Sequence, residues 1–409
     1  MVINDTNHAV WRKIVDIVNQ TKPMAVGISY YTPLKYVVYI IANLVKEADS
    51  DIKVIVGSFH PTMYPEEVIR NSDIDFVVRG EAEIPLLRLI KELKKDKPHL
   101  ETVPGIYYRE NGGQIKNTPP IKMIENLDDL PFLARDLVLN CDYNRYKAHV
   151  MTTARGCPYT CTFCADRGLW GGKVRRRSVE NVIEEISLIK NNYKISSIEI
   201  VDGTFTYDKK YVKAFCKSLI ENKLNVSWRC TARYDNLDEE LLQIMKQANC
   251  SGLYIGLESG SDRVLHVIDK KTTVEQIIRA NKMVYDSGIP CAISILLGMP
   301  EETKEDLEKT LELMKKVRTD IFDINSYIPL AGTSLYDSMS EEERNSIDWR
   351  KTGFKSPNND FIKTVSQEDF QKYMTEAYEI ANKVRNKTII RFTARRIFSF
   401  IPGVINRLR

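Results

Sequence analysis

The chain has 409 residues, of which 43% are hydrophobic and 28% are charged, and its formal net charge is +4. This length predicts two or three domains, each with enough apolar residues for a core. No run of about 20 apolar residues occurs, which excludes a membrane-spanning segment. Because the sequence also shows no secretory signal, we expect a cytoplasmic protein whose cysteines are reduced.

The first third of the chain alternates helical and strand patterns. After a helical pattern at residues 10–18, short apolar runs alternate with amphipathic segments, which is typical of a doubly wound α/β domain. The predicted strands are 24–29, 53–57 and 75–78, and the predicted helices are 34–47 and 83–94.

Segments 27–32, 56–62 and 78–83 follow or end these strands. They resemble the Rossmann-like, flavodoxin-like cobalamin-binding domain that is fused to many radical enzymes. Ligands of such sheets bind beyond the carboxyl ends of the strands. The resemblance implies that a slot for the nucleotide tail of cobalamin is lined by Ser29, Thr32, Gly57 and Ser58.

The cobalamin-like domain, taken as residues 1–120, departs from the family pattern in two ways. Ser58 stands where the family has a second glycine, which gives the backbone less freedom. The family's first strand, helix and strand also have no counterpart before Met24. Two explanations remain open: the chain begins at an internal methionine, or the domain is reduced to three strands. We expect His60 to be a hydrogen-bonded loop residue rather than a cobalt ligand.

Residues 121–146 contain prolines and acids without periodicity, and they predict a linker. Cys157, Cys161 and Cys164 follow it within eight residues. Three thiolates can hold three irons of a four-iron cluster and leave the fourth iron open. A structural zinc site would need a fourth ligand, usually in a second cysteine pair, and the other five cysteines are scattered.

After the cysteines, six β-prone runs alternate with helical patterns such as 179–190 and 304–316. Such alternation predicts parallel βα units. Six units predict a partial, TIM-like (β/α)6 barrel over residues 147–340, with its site at the carboxyl ends of the strands. The predicted strands are 150–153, 198–201, 226–230, 253–257, 292–297 and 322–328.

The CxxxCxxC spacing, with Phe163 before the last cysteine and these βα units behind it, resembles the radical S-adenosylmethionine (SAM) superfamily. The resemblance implies a [4Fe–4S] cluster whose open iron binds SAM and cleaves it reductively to a 5′-deoxyadenosyl radical. That radical abstracts hydrogen from an unactivated carbon. It further implies SAM contacts by Phe163, Asp202, Arg233, Glu258, Ser259 and Gly298.

Other roles remain open for several of these residues. Phe163 would otherwise pack in a core, and Asp202 would cap the following helix. Glu258 needs either a ligand or an arginine as its partner, and Arg233 is the arginine that we expect.

Residues 341–409 predict a helical C-terminal segment. Its end, 383–409, holds eight basic residues and no acid, with Lys387, Arg391 and Arg395 four residues apart and isoleucines and phenylalanines largely on another face. This pattern predicts either a helix in a membrane interface or a helix packed on the barrel with a solvated basic face. We expect no nucleic-acid partner, because no aromatic-studded basic groove accompanies the tail.

Three hypotheses of function follow. The first is a cobalamin-dependent radical SAM transferase, such as a C-methyltransferase, or a rearrangement enzyme that acts on a small-molecule or lipid-like substrate. The second is a radical SAM enzyme without functional cobalamin. The third is a non-enzymatic iron–sulfur carrier or metal-binding module. Either enzyme would need an electron donor such as flavodoxin or ferredoxin.

Overall fold

A computed structural model of the chain describes residues 9–110, 113–139, 148–193 and 195–398, with the backbone alone for residues 148 and 391–398. Cys141, the end of the predicted linker and the tail beyond residue 398 lie outside the described residues. The chain divides into two compact units. Unit 1 comprises Met1–Glu125, Thr162–Gly172 and Ile328–Gly353, and unit 2 comprises Asn126–Cys161, Lys173–Tyr327 and Phe354–Arg409.

Unit 1 contains a five-stranded sheet. Its strands are β1 (Ala25–Ser29), β2 (Lys53–Gly57), β3 (Phe76–Val78), β4 (Ile106–Arg109) and β5 (Ile115–Asn117), in that spatial order. The first three are parallel, as predicted, and β4 and β5 extend the sheet with antiparallel pairs. Numbered along the chain, its helices are α1 (Ala9–Thr21), α2 (Lys35–Ala48), α3 (Phe59–Met63), α4 (Pro65–Ile69), α5 (Glu83–Leu93), α6 (Asp166–Trp170), α13 (Ser334–Ser338) and α14 (Glu341–Ser346).

Both faces of this sheet bury apolar side chains, because successive strand residues point to opposite faces. Val54 and Val56 pack with Val38 of α2 on one face, whereas Ile55 packs with Leu89 of α5 on the other. This two-sided packing explains the near-continuous apolar runs of the strands. Among the described strands, β1 lies at one edge of the sheet. Its residues Gly27 and Ser29, which share one face, are exposed.

Unit 2 contains six parallel strands that lie side by side in chain order. They are β6 (Ala148–Met151), β9 (Ser197–Ile200), β10 (Ser227–Ala232), β11 (Cys250–Glu258), β12 (Cys291–Leu297) and β13 (Ile321–Ser326). A short antiparallel pair, β7 (Ala154–Arg155) and β8 (Arg175–Arg176), flanks the cysteine loop. The helices are α7 (Val179–Tyr193), α8 (Lys209–Glu221), α9 (Glu239–Gln247), α10 (Asp262–Val267), α11 (Val274–Ser287), α12 (Lys304–Lys316) and α15 (Gln367–Phe398). The predicted partial (β/α)6 barrel is confirmed.

One face of this six-stranded sheet is covered and the other is open. Trp228 and Ile255 are buried on the covered face, while Val150 and Tyr254 on the opposite face are 51% and 40% exposed. A cavity of about 480 Å³ runs along the open face from β9 to β13.

The predicted helical C-terminal segment is confirmed by α15. Its residues Phe370, Met374 and Ala377 are buried, and the helix packs on α12 and β13. The first half of α15 therefore belongs to the barrel. No described helix is both long enough and apolar enough to cross a membrane.

Candidate functional site

The cysteine loop leaves the end of β7. Cys157, Cys161 and Cys164 are half-buried free thiols. Cys157 Sγ lies 3.6 Å from the Thr204 hydroxyl, and Arg233 Nη1 donates to Cys161 Sγ at 3.7 Å. Arg233 thus places a polar donor beside the sulfur of Cys161. Within the described residues, no group of three or more His, Cys, Asp and Glu side chains is placed to hold a metal ion.

The surroundings of Cys161 act on its thiol in opposite directions. Burial raises the pKa of Cys161, and the nearby charges of Lys270 and Arg233 lower it. A cationic neighbourhood favours the thiolate, which is the form that binds iron.

Asp202 follows β9 and holds the start of the cysteine loop. Its Oδ1 accepts hydrogen bonds from the backbone nitrogens of Thr153 at 2.7 Å and Ala154 at 3.0 Å. Burial raises the pKa of this carboxyl, and these hydrogen bonds oppose the rise. The alternative that Asp202 caps the next helix is wrong, because Asp208 caps α8. The contact of Asp202 with SAM stays a prediction.

Glu258 ends β11 and forms a buried ion pair with Lys270, whose Nζ donates to Glu258 Oε1 at 2.8 Å. The expected pairing with Arg233 is wrong, because Arg233 pairs with Asp235 instead. Glu258 has a φ of +69°, and a Cβ on Gly256 would lie 2.2 Å from its Oε1. The left-handed turn folds the carboxylate back over the glycine, where Lys270 reaches it. Sequence reasoning missed Lys270, since adjacent lysines usually mark an exposed turn.

Ser259 and Gly260 follow β11 in the chain and pack against α12. The Ser259 hydroxyl lies 3.1 Å from the Thr310 hydroxyl, and Ser259 is fully buried. A Cβ on Gly260 would lie 2.4 Å from the Lys309 carbonyl, so only glycine allows this close approach. The SAM contact predicted for Ser259 is untested, and the structure gives its side chain a packing role.

Gly298 follows β12 with a φ of +87°. A Cβ there would lie 2.1 Å from Asn359 Nδ2. Asn359 also donates to the Gly298 carbonyl at 2.9 Å, and Glu302 Oε2 accepts from Gly298 N at 2.6 Å and Met299 N at 3.2 Å. Glycine is needed here for its conformation and for Asn359, a residue that no sequence pattern pointed to. The contact of Gly298 with SAM stays a prediction.

In unit 1, the four residues predicted for cobalamin lie at the carboxyl ends of β1 and β2. Ser29 is exposed, and Ser58 has a φ of +88°. Thr32 is buried, its Oγ1 accepts from Ala331 N at 3.1 Å, and it lies 3.2 Å from His60 Nδ1. His60 was predicted to be a hydrogen-bonded loop residue; the hydrogen bond is confirmed, but the loop is wrong, because His60 lies in α3. Burial lowers the pKa of His60 to about 3, so its ring is neutral.

Two family models match the chain. The model of the radical SAM superfamily matches residues 151–314, and that of the B12 binding domain matches residues 2–90. An uncharacterized methyltransferase of Pyrococcus horikoshii, PH0819, is 33% identical over 385 residues, which cover 92% of this chain and 82% of the relative. The chain belongs to the radical SAM superfamily.

Two other similar proteins extend the comparison. The anaerobic magnesium-protoporphyrin IX monomethyl ester cyclase of Rubrivivax gelatinosus is 28% identical over 361 residues, and the match spans 86% of this radical SAM chain but 64% of the cyclase. The structure of the radical SAM methyltransferase TsrM from Kitasatospora setae superposes with a TM-score of 0.67 at 16% identity, over 80% of this chain and 67% of TsrM. At this identity, the similarity to TsrM shows a shared fold.

The cofactors of this radical SAM enzyme are a [4Fe–4S] cluster, SAM and cobalamin. The donor set fits the cluster, because three thiols share one loop and Arg233 donates a hydrogen bond to one of their sulfurs. As ligands we predict Cys157, Cys161 and Cys164. The hypothesis of a non-enzymatic carrier is set aside by membership in this enzyme family.

The edge of the unit 1 sheet also fits a bound cofactor. Gly27 and Ser29 lie exposed on one face of β1, and a Cβ on Gly27 or Gly80 would meet no atom within 4 Å. Small residues with free space beside them allow a ligand to approach the backbone closely. The predicted shortening of this domain and its limits stay predictions.

Ser58 adopts the backbone conformation of the glycine that the family pattern has there, with φ +88° and ψ −158°. Such a conformation costs a non-glycine residue about 1–3 kcal/mol. We expect S58G to melt at a higher temperature than S58A, because both variants lose the hydroxyl and only glycine removes the strain. Equal melting temperatures in calorimetry would show that the turn stores no strain.

Glu302 is buried, and burial raises its pKa from 4.5 to about 8. Between these values the unfolded chain has released a proton that the folded enzyme retains, so stability falls as the pH rises through this window. We expect the melting temperature of E302Q to fall less than that of the parent between about pH 5 and pH 8, because glutamine has no proton to release in this window. The glutamine oxygen still accepts the two backbone hydrogen bonds, so the local fold is retained. E301Q, which alters the exposed neighbour, is expected to keep the parental slope. Identical slopes in E302Q and the parent would refute the assignment.

Proposed function

We propose that this enzyme transfers a methyl group to an unactivated carbon of a small organic substrate. When bound, the cluster and SAM supply the radical, and cobalamin supplies the methyl group. The protein's own residues hold the cofactors, orient the substrate and exclude water.

The observation that carries this proposal lies within unit 1. Cys164 belongs to the same compact unit as β1 and β2, and its charge helps to raise the pKa of Tyr31, to about 12, behind the larger effect of burial. The next helix, α6, packs on α3, with Gly168 close to Met63. The end of the cysteine loop thus belongs to the same unit as the strand ends where we predict cobalamin, which supports a function that uses both cofactors.

The names of relatives support methyl transfer more than its alternatives. The Pyrococcus horikoshii relative is named a methyltransferase, as is the cytidylyl-2-hydroxyethylphosphonate methyltransferase of Streptomyces wedmorensis, which is 24% identical over 364 residues. The Rubrivivax gelatinosus relative is named a cyclase, which favours radical chemistry without methyl transfer as the second candidate.

The open face of the barrel supports a substrate with both polar and apolar parts. The Tyr254 hydroxyl donates to Asp323 Oδ2 at 2.6 Å, and Lys355 Nζ donates to Asn325 Oδ1 at 2.9 Å. Exposed Val150 lies on the same face. A lipid-like molecule with a polar group matches this lining.

A peripheral membrane contact through the C-terminal helix remains part of the proposal. Ile389 and Ile390 are 54% and 68% exposed, next to exposed Lys387. Apolar residues next to a basic residue favour binding to the surface of an anionic membrane. Co-sedimentation with anionic vesicles, lost in an I389S/I390S variant, is the expected result.

The reaction is tested by product analysis. Reconstituted enzyme is incubated without oxygen with SAM and a low-potential reductant, with or without cobalamin. We expect 5′-deoxyadenosine in both samples and S-adenosylhomocysteine only with cobalamin. If 5′-deoxyadenosine forms and S-adenosylhomocysteine is absent from both, methyl transfer is wrong and the second candidate stands.

A further inference from the structure

Arg233 is held at the cysteine loop by a salt bridge, a hydrogen bond to a backbone carbonyl and a contact with an aromatic ring. Its Nε and Nη2 donate to the two carboxylate oxygens of Asp235, each at 2.9 Å, and Nη2 also donates to the carbonyl of Lys270. Its guanidinium stacks on Tyr159 of the cysteine loop, 3.7 Å from the ring centroid. Arg233 is only 5% exposed, so water does not compete for these contacts.

These contacts leave one end of the guanidinium for the sulfur. The bidentate salt bridge to Asp235 uses Nε and Nη2, and Nη1 donates to Cys161 Sγ, 3.7 Å away. Tyr159 is itself fixed, because Asn236 Nδ2 donates to its hydroxyl at 2.6 Å. A donor fixed in advance costs no reorganisation when charge develops on its acceptor.

We propose that Arg233 is a positioning residue that raises the reduction potential of the cluster through its hydrogen bond to Cys161. Hydrogen bonds to ligand sulfurs and local charge are among the determinants of iron–sulfur potentials. The reduced cluster carries one more negative charge than the oxidised cluster, so an N–H donor and a positive charge at the sulfur stabilise the reduced form more. The electron comes from an external donor, and no bond to Arg233 forms or breaks.

Lys270 is a second cation near Cys161, and its Nζ donates to Glu258 Oε1, 2.8 Å away, in a buried ion pair. Arg233 combines a nearby positive charge with a hydrogen bond to the sulfur.

The test is an EPR-monitored redox titration of the reconstituted cluster, without substrate or cobalamin. For R233Q we expect about tenfold less reduced cluster at a fixed potential, which is a midpoint about 59 mV more negative for this one-electron couple. R233K keeps the charge but loses the bidentate salt bridge that fixes the donor, so its midpoint should shift in the same direction by a smaller amount.

R229Q is the matched control, because Arg229 lies in β10, the strand that ends just before Arg233, and pairs with Glu199. Its midpoint is expected to equal that of the parent. A parental midpoint in R233Q overturns the proposal, as does an equal shift in R229Q. If R233Q holds no cluster, R233K decides: a parental midpoint in that variant overturns the proposal. Since the titration uses neither substrate nor cobalamin, its failure leaves the proposed methyl transfer untouched.

Discussion

Replacing Cys161 by alanine is expected to abolish the release of 5′-deoxyadenosine from SAM. Two remaining thiolates cannot hold the site-differentiated cluster, so no electron reaches the sulfonium. Reconstituted C161A and parent are compared by iron and sulfide content and by chromatographic quantification of 5′-deoxyadenosine under strictly anaerobic conditions.

C216A is the control, because Cys216 is a buried residue of α8 that packs in the core. Its loss should lower stability by about 1 kcal/mol, the scale of a small buried group, and leave SAM cleavage unchanged. Parental activity in C161A would contradict the assignment of the cluster ligands.

Replacing Lys270 by methionine is expected to destabilise unit 2 strongly. The change leaves the Glu258 carboxylate buried over Gly256 without its partner, and removing one member of a buried ion pair costs about 3–5 kcal/mol. The measurement is the melting transition of the enzyme by calorimetry.

The double variant E258Q/K270M separates this effect from simple loss of packing. It removes both charges, so it should recover a large part of the stability that K270M loses. If the double variant is no more stable than K270M, the ion pair is not the source of the loss. Lys271 provides a further control, because its side chain is 65% exposed and K271M should melt like the parent.

The elements with strong periodicity were predictable from sequence. The limits of α12 were predicted as 304–316 and lie at Lys304–Lys316, because Thr303 forms a capping box that marks the helix start. The six strands of the barrel were predicted to within a few residues, since each has apolar side chains on its covered face. By contrast, β4 and β5 were missed, because their short runs, such as Ile115–Asn117, carry little pattern.

The contacts of the site were less predictable than its position. The strand ends were correctly placed, but the partners of Glu258 and Arg233 depend on the left-handed turn at Glu258 and on the loop that brings Lys270 back. Neither feature leaves a periodic signal. Ser58 shows the same limit, because the resemblance marked it as the position of a glycine but no pattern predicted that a serine would adopt the φ of a glycine there.

The site that we predict for cobalamin in this radical SAM enzyme is the carboxyl edge of the unit 1 sheet. Its most direct test is the cobalamin retained per chain after anaerobic reconstitution and desalting, read from the visible spectrum beside the cluster content. We expect about one cobalamin per chain in the parent, the occupancy of a single slot. We expect none in G27L, whose side chain would extend into the predicted slot from a position where an added Cβ meets no atom within 4 Å. A parent that holds its cluster and cleaves SAM but retains no cobalamin, or a G27L variant that retains as much as the parent, would contradict the account.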